Sequence, residues 1–403
     1  MSEIKVATRS QCKEYVLEKY QMLRFEASCS VSIVLISGMA EIFGTEIVCG
    51  TDLLLEAGQR GTIVTFHGCK IAVKDQGLAD QEIPHVFINI HANLEAARKK
   101  AVETQSRGPR VLICGQESVG KSTLCRTLVN YATRKNAKPI LVDVNVGLNQ
   151  ICIPTTMAAM AVTKPYDLYE GWGLEEDPLV FCFGHLDPAA NLNLFREQVN
   201  LSTIGEFNMI IIIILEEDRT KFIALCIFAQ VDTVLVIEDG FLTSFLQEDL
   251  PKEVTIIRLP KSSGVVTRSP EQWMRQRDLR VRAYFHGENP QRRLHPHQLT
   301  LSTSEVIGTE AIPDALLPHG AREEETWRTP IPVPINRDLK NRLLAVSQAT
   351  EVDQIPEAPI YGFMVVLSVS EDRTSFNVLS PSPEPPPNSL LVCSICYVDP
   401  EGV

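Results

Sequence analysis

The stretch VLICGQESVGKSTLC, residues 111–125, begins with four apolar residues and then changes abruptly to glycine, polar residues and lysine. Its central part, Gly115 to Ser122, fits the pattern G-x-x-x-x-G-K-[ST]. The apolar run before it predicts a strand, and KSTLCRTLVNYATRK after it predicts a helix. A glycine-rich turn between a strand and a helix is the setting in which this pattern binds phosphate.

The residue types of this turn suit the phosphates of a nucleotide. Gly115 and Gly120 let the backbone curl so that successive N–H groups converge on phosphate oxygens at the positive end of the helix. Lys121 is expected to contact the β and γ phosphates, and the Ser122 hydroxyl to complete the shell of a nucleotide-bound Mg²⁺. The alternative is a glycine-rich turn that binds nothing.

Working outward, the sequence predicts further strands on both sides of the turn. The first is PILVDVNVG (139–147), and the later candidates for parallel strands are PLVFCFG (178–184), MIIIIIL (209–215), DTVLVIED (232–239) and VTIIRLP (254–260). The isoleucine run is too short to cross a bilayer and is typical of a central strand that is covered on both faces. The fold class expected is therefore α/β, with a central P-loop NTPase domain around a doubly wound, mainly parallel sheet over residues 104–287.

The flanking regions have a different pattern. Residues 1–103 contain short alternating stretches separated by turn residues, which predict an N-terminal β-sandwich, and ANLEAARKKAVETQ (92–105) predicts a connecting helix. Residues 288–360 are rich in turns and are followed by a predicted hairpin at 362–381 with its turn at EDRT. We expect a small C-terminal domain that contains β-structure.

Net charge and cysteine spacing limit the kinds of ligand that the chain can bind. The 403 residues carry a net charge of −12, so any contact with nucleic acid requires a local basic patch. The 11 cysteines have no paired spacing except Cys393 and Cys396, and no second pair completes a zinc site. We therefore expect buried strand cysteines, a reducing compartment and no membrane span.

The chain resembles one family along nearly its whole length, the eukaryotic Clp-type polyribonucleotide 5′-hydroxyl kinases, which supply the P-loop subunit of pre-mRNA cleavage factor II. The resemblance is carried by LRFEASCSVSIVLISGMAEIFGTEI, GPRVLICGQESVGKSTLCRTLVNYATR, PKSSGVVTRS, IPDALLP and VLSPSPEPPP. It implies ATP and Mg²⁺ as ligands, work in the nucleus on mRNA 3′-end formation, and docking to a scaffold subunit of the cleavage factor. In animals it also implies association with the tRNA-splicing endonuclease.

The nucleotide-binding residues of the family carry over onto this sequence. The phosphate-binding run is matched by Ser118, Val119, Gly120, Lys121, Ser122 and Thr123. Arg60 stands where the family has a basic contact to the nucleotide. Met22 replaces an acidic contact on the adenine side, which changes base selectivity and leaves phosphate binding intact.

The catalytic residues carry over less completely. The family reads E-L-D-V-G-Q where this chain has Asp143-Val-Asn145-Val-Gly-Leu148, so an amide replaces the aspartate beside the metal and the reacting hydroxyl. An amide cannot accept the substrate proton and is a weaker, neutral ligand for Mg²⁺. Asp143, two residues earlier, is predicted to lie on the same strand and the same face, where it can replace part of this function.

Two further segments bear on the reaction. The family's strand end with a tryptophan that stacks on RNA is replaced by IIIIILEEDRTKFIALC, in which Glu216, Glu217 and Asp218 would repel a phosphate backbone. This change, between about 203 and 230, is either a true divergence or a misassigned exon. RSPEQWMRQRDLRVRAYFHG (268–287) resembles the family's lid, with candidate phosphate contacts from Arg268, Arg277 and Arg280. The alternative for these arginines is a solvated helix face with ion pairs to Glu271 and Asp278.

Three functional hypotheses follow. The first is an ATP-binding subunit of the pre-mRNA 3′-end cleavage and polyadenylation machinery with weak or no kinase activity, in which RNA contact is indirect or weak. The second is an active polyribonucleotide 5′-hydroxyl kinase that uses Lys121, Asp143, Arg268 and Arg277. The third, an unrelated P-loop switch such as a small GTPase, is disfavoured because the sequence has no N-K-x-D run for reading guanine.

Overall fold

The computed structural model describes most of the chain. The described residues are 13–26, 31–55, 60–73, 78–82, 86–168, 171–172, 177–203, 210–213, 230–261, 265, 267–287, 294–301, 306–308, 331–386 and 389–398.

The N-terminal region forms two antiparallel sheets. Its strands are β1 (Lys13–Leu17), β2 (Gln21–Glu26), β3 (Val31–Gly38), β4 (Glu41–Ile42), β5 (Thr45–Glu46), β6 (Asp52–Leu55), β7 (Arg60–Thr65), β8 (Cys69–Val73) and β9 (Leu78–Glu82). The order is β1-β8-β3-β6 in one sheet and β5-β4-β7-β2-β9 in the other. The two sheets enclose a common core that includes Leu23, Ile33, Ile63 and Ile71. The alternation of apolar and polar residues thus predicted the sandwich correctly.

The central sheet follows helix α1 (Val86–Glu103), which begins six residues before the predicted helix. Its strands are β10 (Arg110–Gly115), β11 (Ile140–Asp143), β12 (Thr156–Ala161), β13 (Leu179–Cys182), β14 (Ile210–Ile213), β15 (Thr233–Ile237) and β16 (Thr255–Leu259). Among the described residues their order is β13-β12-β11-β14-β10-β15-β16. Strand β14 pairs in parallel with both β10 and β11, so the isoleucine run is a central strand, as predicted.

One edge of this sheet differs from the sequence prediction. Strand β12 was not predicted, and it pairs antiparallel with both β11 and β13. The stretch 178–184 therefore contains a strand, but one that is hydrogen-bonded in an antiparallel ladder. The apolar run alone cannot show this, because pairing direction depends on the connections between strands.

Helices cover both faces of the central sheet, which makes it doubly wound. Helices α1 and α2 (Lys121–Arg134) pack on one face through residues such as Leu94 and Leu128. Helices α3 (Leu192–Thr203) and α4 (Gly240–Asp249) pack on the other through residues such as Phe195 and Leu246.

The C-terminal sheet comes after helix α5 (Pro270–His286). It consists of β17 (His297–Leu301), β18 (Val306–Gly308), β19 (Ile331–Pro332), β20 (Arg342–Ser347), β21 (Ile360–Val369), β22 (Phe376–Ser380) and β23 (Leu390–Cys396). Strands β21 and β22 form the predicted hairpin around residues 371–374. One core joins this sheet to α5 and to the antiparallel edge of the central sheet, with contributions from Val180, Phe285 and Leu343.

The predicted fold class is confirmed, with N-terminal sheets, a central α/β layer and a C-terminal sheet. The domain boundaries at residues 103 and 287 stay predictions. Among the described residues, no helix combines the length and the hydrophobicity that a transmembrane span requires.

Candidate nucleotide-binding site

The phosphate-binding motif lies between β10 and α2, as the sequence predicts. Gly115 has φ +138°, Ser118 has φ +53° and Gly120 has φ +102°, so three residues of the loop have positive φ values. A Cβ atom on Gly115 would lie 2.6 Å from the carbonyl oxygen of Ile237, and one on Gly120 would lie 3.2 Å from the Cγ2 atom of Val265. Both positions therefore require glycine on conformational and steric grounds.

Lys121 occupies the first turn of α2 and is buried, with 6% of its surface exposed. Its ammonium group donates to the carbonyl oxygens of Gly115 at 2.5 Å and Gln116 at 2.6 Å. The amine thus lies across the inside of the loop. Val119 anchors the loop because its side chain is buried in the core between α2 and the sheet.

The loop after β11 departs from the sequence prediction. The strand ends at Asp143, so Asn145 is a loop residue and does not share a strand face with Asp143. The fully buried Asp143 carboxylate accepts hydrogen bonds from the backbone N–H groups of Asn145 at 2.9 Å and Gln150 at 2.8 Å. Asn145 is also engaged locally, since its Oδ1 accepts from the backbone N–H of Leu148 at 2.8 Å.

Burial dominates the electrostatics of Asp143. It raises the pKa of this carboxyl to about 7, against the opposing effects of the two backbone N–H donors and of Arg280. Burial and the Asp143 charge together raise the pKa of the Cys125 thiol on α2, one turn beyond Lys121. Asp143 is therefore enclosed in the protein interior, close enough to α2 for its charge to act on Cys125.

The candidate arginines contact protein groups. Arg277 Nε donates to the carbonyl oxygen of Gly147 at 2.9 Å, and Arg280 donates to the carbonyls of Gln150 and Cys152. The guanidinium carbon of Arg268 lies 5.0 Å from the centre of the Trp273 ring. The charge of Arg277 opposes the rise that burial causes in the pKa of Asp278, and the intrahelical ion pairs of the arginines to Glu271 and Asp278 stay a prediction.

Met22, the candidate contact on the adenine side, lies in strand β2 of the five-stranded N-terminal sheet. Met22, 3% exposed, is opposite Val64, which in turn is opposite Glu41, and cross-strand partners share a face. Glu41 accepts hydrogen bonds from Tyr131 and Arg134 of α2, so this face is turned toward the helix that begins at Lys121. Arg60 starts β7, and its side chain lies outside the described part of the structure, as do Glu216, Glu217 and Asp218.

The arrangement fits a nucleotide phosphate with its metal ion. The loop has three residues with positive φ values, and it is followed by a lysine amine and the Ser122 and Thr123 hydroxyls at the start of a helix, where the partial charge is positive. The Ser122 hydroxyl would supply an oxygen ligand to the Mg²⁺ of a bound nucleotide, since Mg²⁺ prefers oxygen ligands. When bound, the ion would neutralise charge on the phosphate oxygens.

Sequence reasoning missed the residue that organises the loop after β11. Asn149 is 1% exposed, and its amide donates to the carbonyls of Asp143 at 2.9 Å and Thr156 at 3.1 Å. Its Oδ1 accepts from the backbone N–H groups of Ile151 and Cys152, both at 2.9 Å. The preference of asparagine for turns just after a strand was the available indication.

A strand, a glycine-rich loop and a helix that starts with a buried lysine define a P-loop NTPase. Three family models match the chain: the mRNA cleavage and polyadenylation factor CLP1 P-loop over 115–206 and 219–287, the Pre-mRNA cleavage complex II protein Clp1 over 294–399, and the N-terminal beta-sandwich domain of polyadenylation factor over 16–101. The chain belongs to the Clp1 family. The gap in the P-loop match, at 207–218, falls within the interval where the sequence departs from the family.

Curated relatives match at similar levels. Proteins named polyribonucleotide 5′-hydroxyl-kinase Clp1 are 34% identical in Rattus norvegicus, over 99% of this chain and 100% of the relative, and 34% identical in Homo sapiens, over 96% of each. Among solved structures, a wild-type Clp1p–Pcf11p complex has a TM-score of 0.82 at 20% identity, over 97% of this chain and 99% of that one. The structural match shows a shared fold.

Proposed function

We propose that this chain is an ATP-binding subunit of the pre-mRNA 3′-end cleavage and polyadenylation machinery with weak or no RNA 5′-kinase activity. It acts in the nucleus, bound to a scaffold subunit of cleavage factor II, and contacts RNA indirectly or weakly. Membership of the Clp1 family and the Clp1p–Pcf11p complex of similar fold support the assembly role. Association with the tRNA-splicing endonuclease and the domain limits 1–103, 104–287 and 288–403 are part of the same proposal.

One observation supports weak kinase activity above the others. The two side chains available in place of a catalytic aspartate, Asn145 and Asp143, are both engaged in hydrogen bonds with backbone N–H groups of their own loop. An amide accepts no proton, and a fully buried carboxylate has no access to a substrate hydroxyl while it makes these bonds. Lys121 and the loop glycines, by contrast, retain what phosphate binding requires.

The second candidate function is an active polyribonucleotide 5′-hydroxyl kinase. One feature favours it, because a pKa of about 7 for Asp143 is suitable for a general base near neutral pH. In that case Asp143 would have to exchange its backbone partners for the substrate hydroxyl. Arg268 and Arg277 would then stabilise charge on the transferring phosphate.

Nucleotide binding is tested by thermal stability. A ligand that binds the folded chain raises Tm by mass action, so millimolar ATP with Mg²⁺ is expected to raise Tm, and Lys121→Ala to reduce the shift. The exposed Lys100 of α1 gives a matched control, Lys100→Ala, which is expected to retain the full shift. A wild-type chain with no shift would contradict ATP binding, and preference for GTP would favour the switch hypothesis.

Kinase activity is tested by transfer of labelled γ-phosphate to an RNA oligonucleotide with a 5′-hydroxyl. The wild-type chain is expected to transfer little, and Asn145→Asp to transfer at least about ten-fold more, because it restores a proton acceptor of the same shape that still accepts from Leu148. Lys121→Ala in the Asn145→Asp background is expected to abolish the gain. Robust wild-type transfer that depends on Lys121 would establish the active kinase instead.

A further inference from the structure

Helix α5 holds the loop between β11 and β12 from outside. Arg277 Nε donates to the carbonyl of Gly147 at 2.9 Å, while Arg280 donates through Nε to Cys152 at 3.3 Å and through Nη2 to Gln150. Both arginines are half-buried. Hydrogen bonds from a charged donor are stronger than those between neutral groups, so these contacts restrain the loop considerably.

The same loop is held from inside by the end of β11. The Asp143 carboxylate accepts from the N–H groups of Asn145 and Gln150, and Asn149 joins Asp143 to Thr156 through its side-chain amide. Gln150 therefore donates its N–H inward to a carboxylate and receives a guanidinium on its carbonyl from outside. The loop is therefore hydrogen-bonded both to the end of β11 and to the arginines of α5.

Helix α5 is itself anchored at both ends. At its start Ser269 and Gln272 form a capping box, and the backbone N–H of Arg268 lies 3.4 Å from the Ser118 hydroxyl of the phosphate-binding loop. At its end the Tyr284 hydroxyl accepts from the backbone N–H of Phe363 at 3.1 Å. Because both ends of α5 are held by these contacts, the positions of its arginines relative to the loop are fixed as well.

We infer that Arg277 and Arg280 are positioning residues that order the loop 144–155, and with it Asn145, beside the nucleotide site. Their guanidinium groups bind backbone carbonyls of this chain and leave the nucleotide phosphates to Lys121 and the loop amides. The role of these contacts in nucleotide binding rests on the proposed function. The hydrogen bonds themselves join groups of this chain and require no nucleotide.

The first test is hydrogen exchange of the nucleotide-free full-length chain, followed by mass spectrometry of peptides that cover 144–155. Loss of a charged hydrogen bond in Arg277→Ala or Arg280→Ala is expected to speed exchange in these peptides about ten-fold. Arg275→Ala, an exposed arginine of the same helix, is the matched control and is expected to exchange like the wild type. Unchanged exchange in both Arg277→Ala and Arg280→Ala would overturn the inference.

The second test separates loop positioning from phosphate contact by the affinities for ATP and ADP, measured by calorimetry. A positioning role changes both affinities by similar factors, whereas a contact to the γ-phosphate weakens ATP selectively. Arg280→Lys keeps the charge but loses the fork that reaches two carbonyls, so it is expected to exchange as fast as Arg280→Ala. Selective loss of ATP binding that lysine restores would overturn the inference. A wild-type chain that binds neither nucleotide would contradict the proposed function and leave the exchange test valid.

Discussion

Asp143 shows how one residue acquires a structural role from its surroundings. The sequence makes this residue, at the end of β11, a candidate general base. In the structure its carboxylate is fully buried and accepts hydrogen bonds from two backbone N–H groups of the following loop. Burial of a charged carboxylate is unfavourable, and this is why its pKa is raised to about 7. The consequence is a measurable dependence of stability on pH.

The contribution of Asp143 to stability is expected to fall as the pH rises from about 4 to about 7. Between those values the folded chain keeps a proton on Asp143, with a pKa of about 7, which the unfolded chain, with an ordinary value of 3.8, has already released. Because the folded state binds more protons, the free energy of unfolding loses up to about 1.4 kcal/mol per pH unit from this group. Asp143→Asn is expected to remove that contribution, as measured by urea titrations at several pH values.

The exposed Asp249 at the end of α4 is the matched control for this experiment. Asp249→Asn is expected to keep the wild-type slope of stability against pH over the same range. Equal slopes in the wild type and Asp143→Asn would show that Asp143 is charged throughout, and would contradict its neutral state below pH 7.

Among the elements, the strands show most clearly what sequence patterns resolve. The isoleucines of β14 predicted a central strand, because few other environments accept an unbroken β-branched run. The sequence of β12, TMAAMA, has neither a β-branched run nor clear alternation, and it was missed. Its pairing with β11 and β13 nevertheless sets the antiparallel edge on which the C-terminal sheet packs.

Helix α5 shows which features of a helix the sequence predicts and which it does not. Its start signals, Ser269 at the N-cap and Pro270 at the first helical position, are local and readable in the sequence. The acceptors of its arginines are not, because Gly147 is 130 residues away from Arg277 along the chain. Sequence resemblance placed Arg277 at a phosphate, whereas the structure places it at a carbonyl.

At the scale of the whole molecule, buried polar contacts help to attach the N-terminal sheets to the central layer. Glu41, 6% exposed, accepts from the Tyr131 hydroxyl at 2.5 Å and from Arg134 at 2.6 Å. Gly44, with φ +80°, lies so close to α2 that a Cβ atom would be 3.1 Å from the Cβ of Asn130. The interface therefore depends on a paired buried charge and a close backbone approach.

Removal of the Glu41 carboxylate is expected to weaken this interface. Glu41→Ala removes the acceptor of the Tyr131 hydroxyl and one acceptor of the Arg134 guanidinium, which keeps Gly44 and Glu46, at an expected loss of about 1–3 kcal/mol. The loss should appear as a lower Tm and as faster proteolysis near residues 104–109, between α1 and β10. Glu46 also pairs with Arg134 but is 71% exposed at its side chain, so Glu46→Ala should change stability by less than about 1 kcal/mol. A larger loss in Glu46→Ala than in Glu41→Ala would contradict this account.

The sequence by itself determined the position of the phosphate-binding loop, the order of strand, loop and helix around it, and the three-part α/β organisation. These features follow from local requirements, since only glycine accepts the conformations at Gly115 and Gly120 and only particular periodicities form strands or helices. The tertiary structure alone decided the partners of Asp143, Asn145, Arg277 and Arg280. Their roles depend on which hydrogen-bonding groups burial brings within reach, and for the arginines those groups come from a distant part of the chain.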